Sequence, residues 1–325
     1  GSQYSCQMFR STDGGQTFAP YVQAYGGDKQ WMAIDRTGGV GNGYLYAMWD
    51  NATIYTPNGF TRSINAGSTY AAPVAMPTSP NWGTVAVGPN GEVYVCGNAN
   101  GNLSQFTFIK STNANNPAVT TTFPLTRTVN LGGPQVYFTA NTPNPGGLLG
   151  QVWVRADNSS GPTRGNVYML CSVDPAGSDP LSVYLARSTD GGSTWSAPIK
   201  VNDEPVGVNA WQWFAALDVA PTGRIDVIWL DTMNTGLVNR SELRYSSSGD
   251  AGATWAPSVA VGPQFDSLIG WPTQNKIGDY MDIESDRVGA SVAYAGTMNG
   301  EQDVYFVRIN DWDFHWQGSY FFQKV

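Results

Sequence analysis

The chain has 325 residues, with 38 glycines, 20 prolines, 17 Lys+Arg against 25 Asp+Glu, and a formal net charge of −8. That acidic balance argues against non-specific nucleic-acid binding, which basic patches carry, and against attraction to anionic membranes. No apolar run reaches bilayer length, long helical periodicity is missing, and turn residues recur throughout, so an all-β, non-inserting chain is expected.

Taken in order, the first strand-like run is 6–10, and it leads into Ser11-Thr12-Asp13-Gly14-Gly15-Gln16-Thr17-Phe18. Residues 30–35, a glycine-rich turn and residues 43–49 then read as an apolar hairpin, and 59–62 leads into Ser63-Ile64-Asn65-Ala66-Gly67-Ser68-Thr69-Tyr70, the same octet with Asn65 for Asp. A shorter hairpin over 82–96 precedes a decayed copy beginning at Ser111, where Asn115 stands for the glycine. Hairpins over 151–170 and 212–230 precede Ser188-Thr189-Asp190-Gly191-Gly192-Ser193-Thr194-Trp195 and Ser248-Gly249-Asp250-Ala251-Gly252-Ala253-Thr254-Trp255. A last unit, with strands near 280–285, 290–297 and 302–309, has no octet after it.

The common pattern is Ser-x-Asp-x-Gly-x-Thr-aromatic, and each part has a mechanical reason. Asp13, Asn65, Asp190 and Asp250 accept local backbone N–H groups, the glycine takes positive φ without steric cost, and the aromatic folds back as a plug. The octets begin about 50 to 80 residues apart, near the length of one repeat unit, so one repeated domain over 1–325 is expected. Four-strand units are read at about 28–76, 81–129, 149–202 and 210–262.

These octets resemble the Asp box, or BNR repeat, of the sialidase-like β-propellers. The resemblance implies a β-propeller of four-stranded antiparallel blades, and the four full units, the fifth without a box and the N-terminal half-blade together suggest a six-bladed β-propeller, with five blades as the alternative. In that family the box joins the third and fourth strands of a blade at the outer rim. The N-terminal half-blade and the fifth unit, which lacks a box, suggest a ring closed by pairing strands from both termini, which would remove the exposed edges of an open ring. First strands, apolar on both faces, are expected to pack between neighbouring blades.

In such a ring the ligand site lies at a channel mouth, built where the inner strands begin. That places Asp28, Lys29, Gln30, Trp31, Gln151, Arg155, Trp211, Gln212, Trp213 and Asp279 as candidate ligand-binding residues, the glutamines either facing a polar ligand or tying adjacent blades. Strand alternation puts Tyr280, Asp282 and Glu284 on one face, a candidate catalytic cluster or a solvated lining. The Gly/Pro/Asn-rich stretch 131–148 reads as an insertion of the kind that carries binding work. An active sialidase would imply three clamping arginines, a Tyr–Glu pair and an Asp acid/base, with a Phe/Tyr-Arg-Ile/Leu-Pro motif that Phe9-Arg10-Ser11-Thr12 does not supply.

No metal-binding spacing is present. His315 is the sole histidine, Cys6, Cys96 and Cys171 allow one disulfide at most, and the expectation is no cofactor, with structural calcium left open. Twelve tryptophans and sixteen tyrosines in an acidic chain suit sugar stacking, so a carbohydrate or glycoprotein partner is expected. Three readings remain: an extracellular glycan-processing enzyme of glycoside-hydrolase type, a carbohydrate-binding propeller without catalysis, and an assembly protein that self-associates through its rims and aromatic tail 312–325. A secreted or cell-surface location, with any leader already removed, goes with all three.

Overall fold

Apolar runs of strand length separated by Gly, Pro and Asn turns give strands and no helix among the described residues, which in this computed structural model are 4–50, 53–205, 209–271, 273–310 and, as backbone alone, 320–324. The chain divides at Val129 and Asn130 into two compact units. The first unit opens with a hairpin of β1 (Gln7–Met8) and β2 (Val22–Gln23), paired with each other in a two-stranded sheet. Its first blade runs β3 (Trp31–Ile34), β4 (Leu45–Met48), β5 (Asn58–Ser63), β6 (Val74–Ala75). Its second comprises β7 (Pro80–Asn81), β8 (Val85–Val87), β9 (Val93–Ala99), β10 (Asn102–Ser111) and β11 (Leu125–Val129), with β7 and β8 both pairing β9.

The second unit holds three more blades. One is β12 (Trp153–Ala156), β13 (Val167–Val173), β14 (Ser182–Ser188), β15 (Ile199–Lys200). The next is β16 (Gln212–Val219), β17 (Ile225–Asp231), β18 (Arg240–Ser248), β19 (Val259–Ala260), with β20 (Phe265–Asp266) added to the start of β18. The last is β21 (Asp282–Ser285), β22 (Gly289–Gly296), β23 (Asp303–Asn310), β24 (Tyr320–Lys324). These sheets are blades of the β-propeller type, and among the described residues there are five of them rather than the six expected. The tail supplies the fourth strand of the fifth blade by pairing β23, and β1 pairs β2, so the expected mixed pairing of terminal strands is replaced by these two local ones.

Burial explains the blade order. Strands β4, β9, β13 and β17 are buried along their whole length, because a second strand is covered on both faces. The expectation of doubly apolar first strands holds for most of β12 and β16 and fails for β3 and β21, whose side chains alternate between the interior and solvent. One extra residue on β16 between Trp213 and Ala216 makes a bulge, with Phe214 in the left-handed region at φ 56°. The freed N–H groups of Phe214 and Ala215 donate to Leu149 O at 2.8 Å and Ser172 Oγ at 3.2 Å, tying the bulge to the preceding blade.

Each octet links the last two strands of its hairpin and closes on itself. Gly15, Gly67, Gly192 and Gly252 donate their N–H to the octet serine at 2.8, 2.9, 2.8 and 2.9 Å. The threonine N–H reaches Oδ1 of Asp13, Asn65, Asp190 and Asp250 at 2.9 Å in all four. The Thr194 and Thr254 hydroxyls, donating at 2.7 and 2.6 Å, together with the same threonines' N–H groups hold the Asp190 and Asp250 carboxyls down at about 2. The plug is less uniform than expected: Trp195, Trp255 and Tyr70 are half-buried, but Phe18 is 61% exposed.

The decayed copy is complete but interrupted. Ser111 donates to Asn113 Oδ1 at 3.0 Å, yet the N–H that returns to Oδ1 belongs to Thr122, at 2.9 Å, and buried Phe123 follows as the aromatic. Eight residues, 114–121, stand between Asn113 and Thr122 where the intact octets have three. A further link had no signal in the octet itself. The arginine just before an octet donates to the carbonyl at the fourth position of the next one: Arg10 to Ala66 at 3.2 Å, Arg62 to Ala114 at 2.6 Å, Arg187 to Ala251 at 2.9 Å. All three cysteines are free thiols, Cys96 and Cys171 buried.

Candidate functional site

Aligned from their turns, the inner hairpins of the second unit bring three charged residues to one level. Ala156, Val219 and Ser285 form the last pairs before the turns, so Arg155, Asp218 and Glu284 occupy the same penultimate rung of β12, β16 and β21. Arg155 Nε donates to Asp218 Oδ1 at 3.1 Å, its Nη2 lies 3.6 Å from Asp282 Oδ1, and its guanidinium carbon sits 4.8 Å from the centroid of the buried Trp153 ring. Asp218 Oδ2 accepts the Ser285 N–H at 2.7 Å, so one carboxylate fixes both the arginine and the neighbouring inner strand. Asp218 was not expected here. Alignment on Gln151 and Gln212 concealed it; alignment on the turns reveals it.

Asp282 and Glu284 point to the solvent side of β21 while Ile283 and Ser285 are buried, and Tyr280, two residues ahead, is 44% exposed. Asp282 and Glu284 thus share one face of β21, with exposed Tyr280 just before the strand begins. The Asp282 side chain keeps 57% of its surface in contact with solvent, yet the surrounding protein displaces enough water to raise its carboxyl, against the lowering effect of Arg155. Burial likewise lifts Asp218 to about 6 despite Arg155 and the Ser285 N–H, with Glu284 adding repulsion. Two acids, Asp218 and Asp282, engage the one guanidinium and Glu284 adds a third carboxyl nearby, which favours developing positive charge and disfavours an anionic ligand.

The insertion ahead of β12 is pinned beside this strand. Asn144, fully buried, donates to Leu148 O at 2.6 Å and Gly278 O at 2.9 Å and accepts the Ile277 N–H at 3.0 Å. Asp279 accepts the Leu148 N–H at 3.0 Å and pairs with Lys276 at 2.6 Å. Gly146 and Gly147 allow the approach, since a Cβ on Gly147 would meet Gly278 O at 2.8 Å. Asp279, expected to face ligand, thus anchors a loop.

Several expected ligand contacts lie in the interior. Trp213 is 0% exposed and its indole N–H bonds Ser241 Oγ at 3.1 Å, which makes it core packing rather than a mouth residue. Gln151 is buried, and buried Gln212 donates to Asp231 Oδ1 and accepts from Asn202, both at 3.4 Å, so these two amides lie in the interior and not in an open ring. Trp211 is half-buried, its N–H on Thr232 Oγ1 at 2.9 Å. Around Gln212 the structure adds Glu204, pushed up to about 8 by burial and by the nearby Asp231 carboxylate.

In the first unit, Lys29 takes φ 51° and pairs with Asp28 at 3.3 Å, while Gln30 and Trp31 are half-buried. Beside them lies Asp50, buried, accepting the Trp82 N–H at 2.9 Å and raised to about 8 by burial and by Asp28. Nothing local in the sequence marked it. Among the described residues no cluster of three or more His, Cys, Asp or Glu side chains is placed to hold a metal ion; His315 and the aromatic tail up to 319 lie outside them.

No family model and no curated protein sequence matches the chain. Solved structures do. An ulvan lyase of polysaccharide lyase family PL25, bound to -[GlcA(1-4)Rha3S]-, aligns over 92% of this chain and 70% of its own at a TM-score of 0.52 and 12% identity. The α-L-arabinofuranosidase Arb93A from Fusarium graminearum, in complex with an iminosugar inhibitor, aligns over 86% and 87% at 0.50 and 14%. A leech intramolecular trans-sialidase aligns over 86% and 58% at 0.49 and 9%. At such identities the likeness is one of fold.

Proposed function

We propose that this chain is an extracellular glycan-processing enzyme of glycoside-hydrolase type acting on a neutral sugar. The observation that carries the reading is the pair of solvent-facing carboxylates, Asp282 and Glu284, on one face of β21 beside an arginine already engaged by two acids. Glycosidic cleavage needs one carboxyl that holds its proton and one that has lost it, around an oxocarbenium-like transition state. Asp282, raised by its surroundings, supplies the proton to the leaving oxygen. Glu284 then acts as the base or nucleophile, Tyr280 contacts the sugar, and Asp218 positions Arg155. The surplus of negative charge stabilises the cationic transition state.

The chemistry needs no cofactor. Arg155, held by Asp218 and Asp282, is not available as a carboxylate clamp, which supports a neutral substrate over sialic acid. The octets fit the Asp-box class as blade fasteners. The fold likeness to an arabinofuranosidase and a polysaccharide lyase is consistent with glycan chemistry.

A panel of aryl glycosides of neutral sugars, with a sialoside included, tests the reading. Release is expected from at least one neutral glycoside and not from the sialoside, and Glu284→Gln and Asp282→Asn should each lower kcat by 100-fold or more, on the order of 3 kcal/mol in the barrier. Because the raised Asp282 keeps its proton above the usual carboxyl range, the alkaline limb of the rate profile should lie above that range and vanish in Asp282→Asn. Silence across the panel, or release indifferent to both substitutions, rejects the enzyme.

A further inference from the structure

The insertion ends in a feature that neither its anchoring nor the acid cluster explains. Tyr137 and Phe138 stand on its solvent-facing side, 36% and 65% exposed, with ring centroids 5.1 Å apart and planes at 85°. Phe138 adopts φ 45°, a left-handed conformation that a bulky aromatic takes only against steric resistance. The backbone leaves it no relaxation. The Phe138 N–H bonds Gly147 O at 3.0 Å, Tyr137 pairs with Leu148, and the Leu148 N–H is held by Asp279, the residue before Tyr280. Asn144 locks the base of the loop from the interior.

A rigid loop that spends free energy to keep an aromatic ring in water is built for contact. What it would contact follows from its surroundings. The loop is bonded to Ile277, Gly278 and Asp279, the segment that leads directly into Tyr280, Asp282 and Glu284. Flat aromatic faces beside carboxylates and hydroxyls suit a ring with an apolar face and hydroxyl edges, and the acid surplus excludes a polyanion.

We infer that Tyr137 and Phe138 form a stacking subsite for a neutral sugar residue of a polysaccharide, next to the one that meets Asp282 and Glu284. This rests on the glycan reading above. It adds the requirement for a chain of several sugars rather than a single one. A reason for the strain is then at hand: glycine at 138 would suit the backbone and would lose the platform.

Affinity electrophoresis of the full chain through gels containing arabinan, arabinoxylan or mixed-linkage β-glucan tests it, with thermal melting alongside. The wild type should be retarded by at least one polymer. Phe138→Ala and Phe138→Gly should each weaken that retardation at least fivefold, and Phe138→Gly should melt no lower than the wild type, since it relieves the left-handed strain; a residue kept for folding would instead lower the melting temperature. Unchanged retardation in both variants overturns the subsite, as does a wild type that no polymer retards. Retardation lost on Phe138 substitution in a protein that cleaves no aryl glycoside would sustain the subsite and reject the enzyme.

Discussion

Glu204 occupies a position that admits no second negative charge. Its carboxyl is pushed up to about 8 beside Asp231, against the ordinary value of 4.5, so between those values the folded chain keeps a proton that the unfolded chain has released. Stability present below about pH 4.5 is therefore lost as pH rises toward 8, at no more than roughly 1.4 kcal/mol per pH unit. Glu204→Gln keeps the shape and removes the titration. Its melting temperature is expected to exceed that of the wild type by several degrees at pH 8 and to match it near pH 4.5; parallel curves for the two proteins across that range would refute the buried proton. At this scale the sequence was least informative, because Glu204, Asp218 and Asp50 owe their behaviour to neighbours from other strands. Asp218 meets Arg155 at a separation of 63 residues and the Ser285 N–H at 67.

The octets and hairpins, by contrast, are written locally. Ser, Asp, Gly and Thr satisfy one another within seven residues, so the pattern predicts its own geometry, and strand alternation places Asp282 and Glu284 together without help from the rest of the chain. Where the pattern is interrupted, contiguous reading fails, as with Thr122 and Phe123 beyond their insertion. The arginine links between successive octets are absent from any local pattern, since each spans more than fifty residues. The insertion 131–148 was legible as an insertion, but its docking depends on the absence of a side chain at Gly147. Gly147→Ala would drive a Cβ into Gly278 O and Asp279 Oδ1, both at 2.8 Å, and is expected to cost about 1–3 kcal/mol. Denaturant melts would report the loss, and proteolysis at the freed tip would accompany it; an alanine variant as stable and as resistant as the wild type would show that the loop is not held there.

Across the whole molecule, a net charge of −8 and an acid-rich site set the partner's charge. Retention on a neutral polysaccharide is expected to be indifferent to salt between about 50 and 500 mM, while a polyanion such as polygalacturonate should bind more weakly at low salt than at high. The reverse order would mean that Arg155 or another cation is available to an acidic sugar. By itself the sequence determined the all-β class, the blade boundaries to within a few residues, the octet clasps and the shared face of Asp282 and Glu284, because each follows from contacts between residues near one another in the chain. Tertiary structure alone decided that the described residues form five blades and not six, that the tail completes the fifth, that Trp213, Gln151 and Gln212 are interior, and that Asp218 holds the arginine. Those outcomes depend on which strands meet across long separations, and hydrophobic patterning is much the same whichever partner a strand finds.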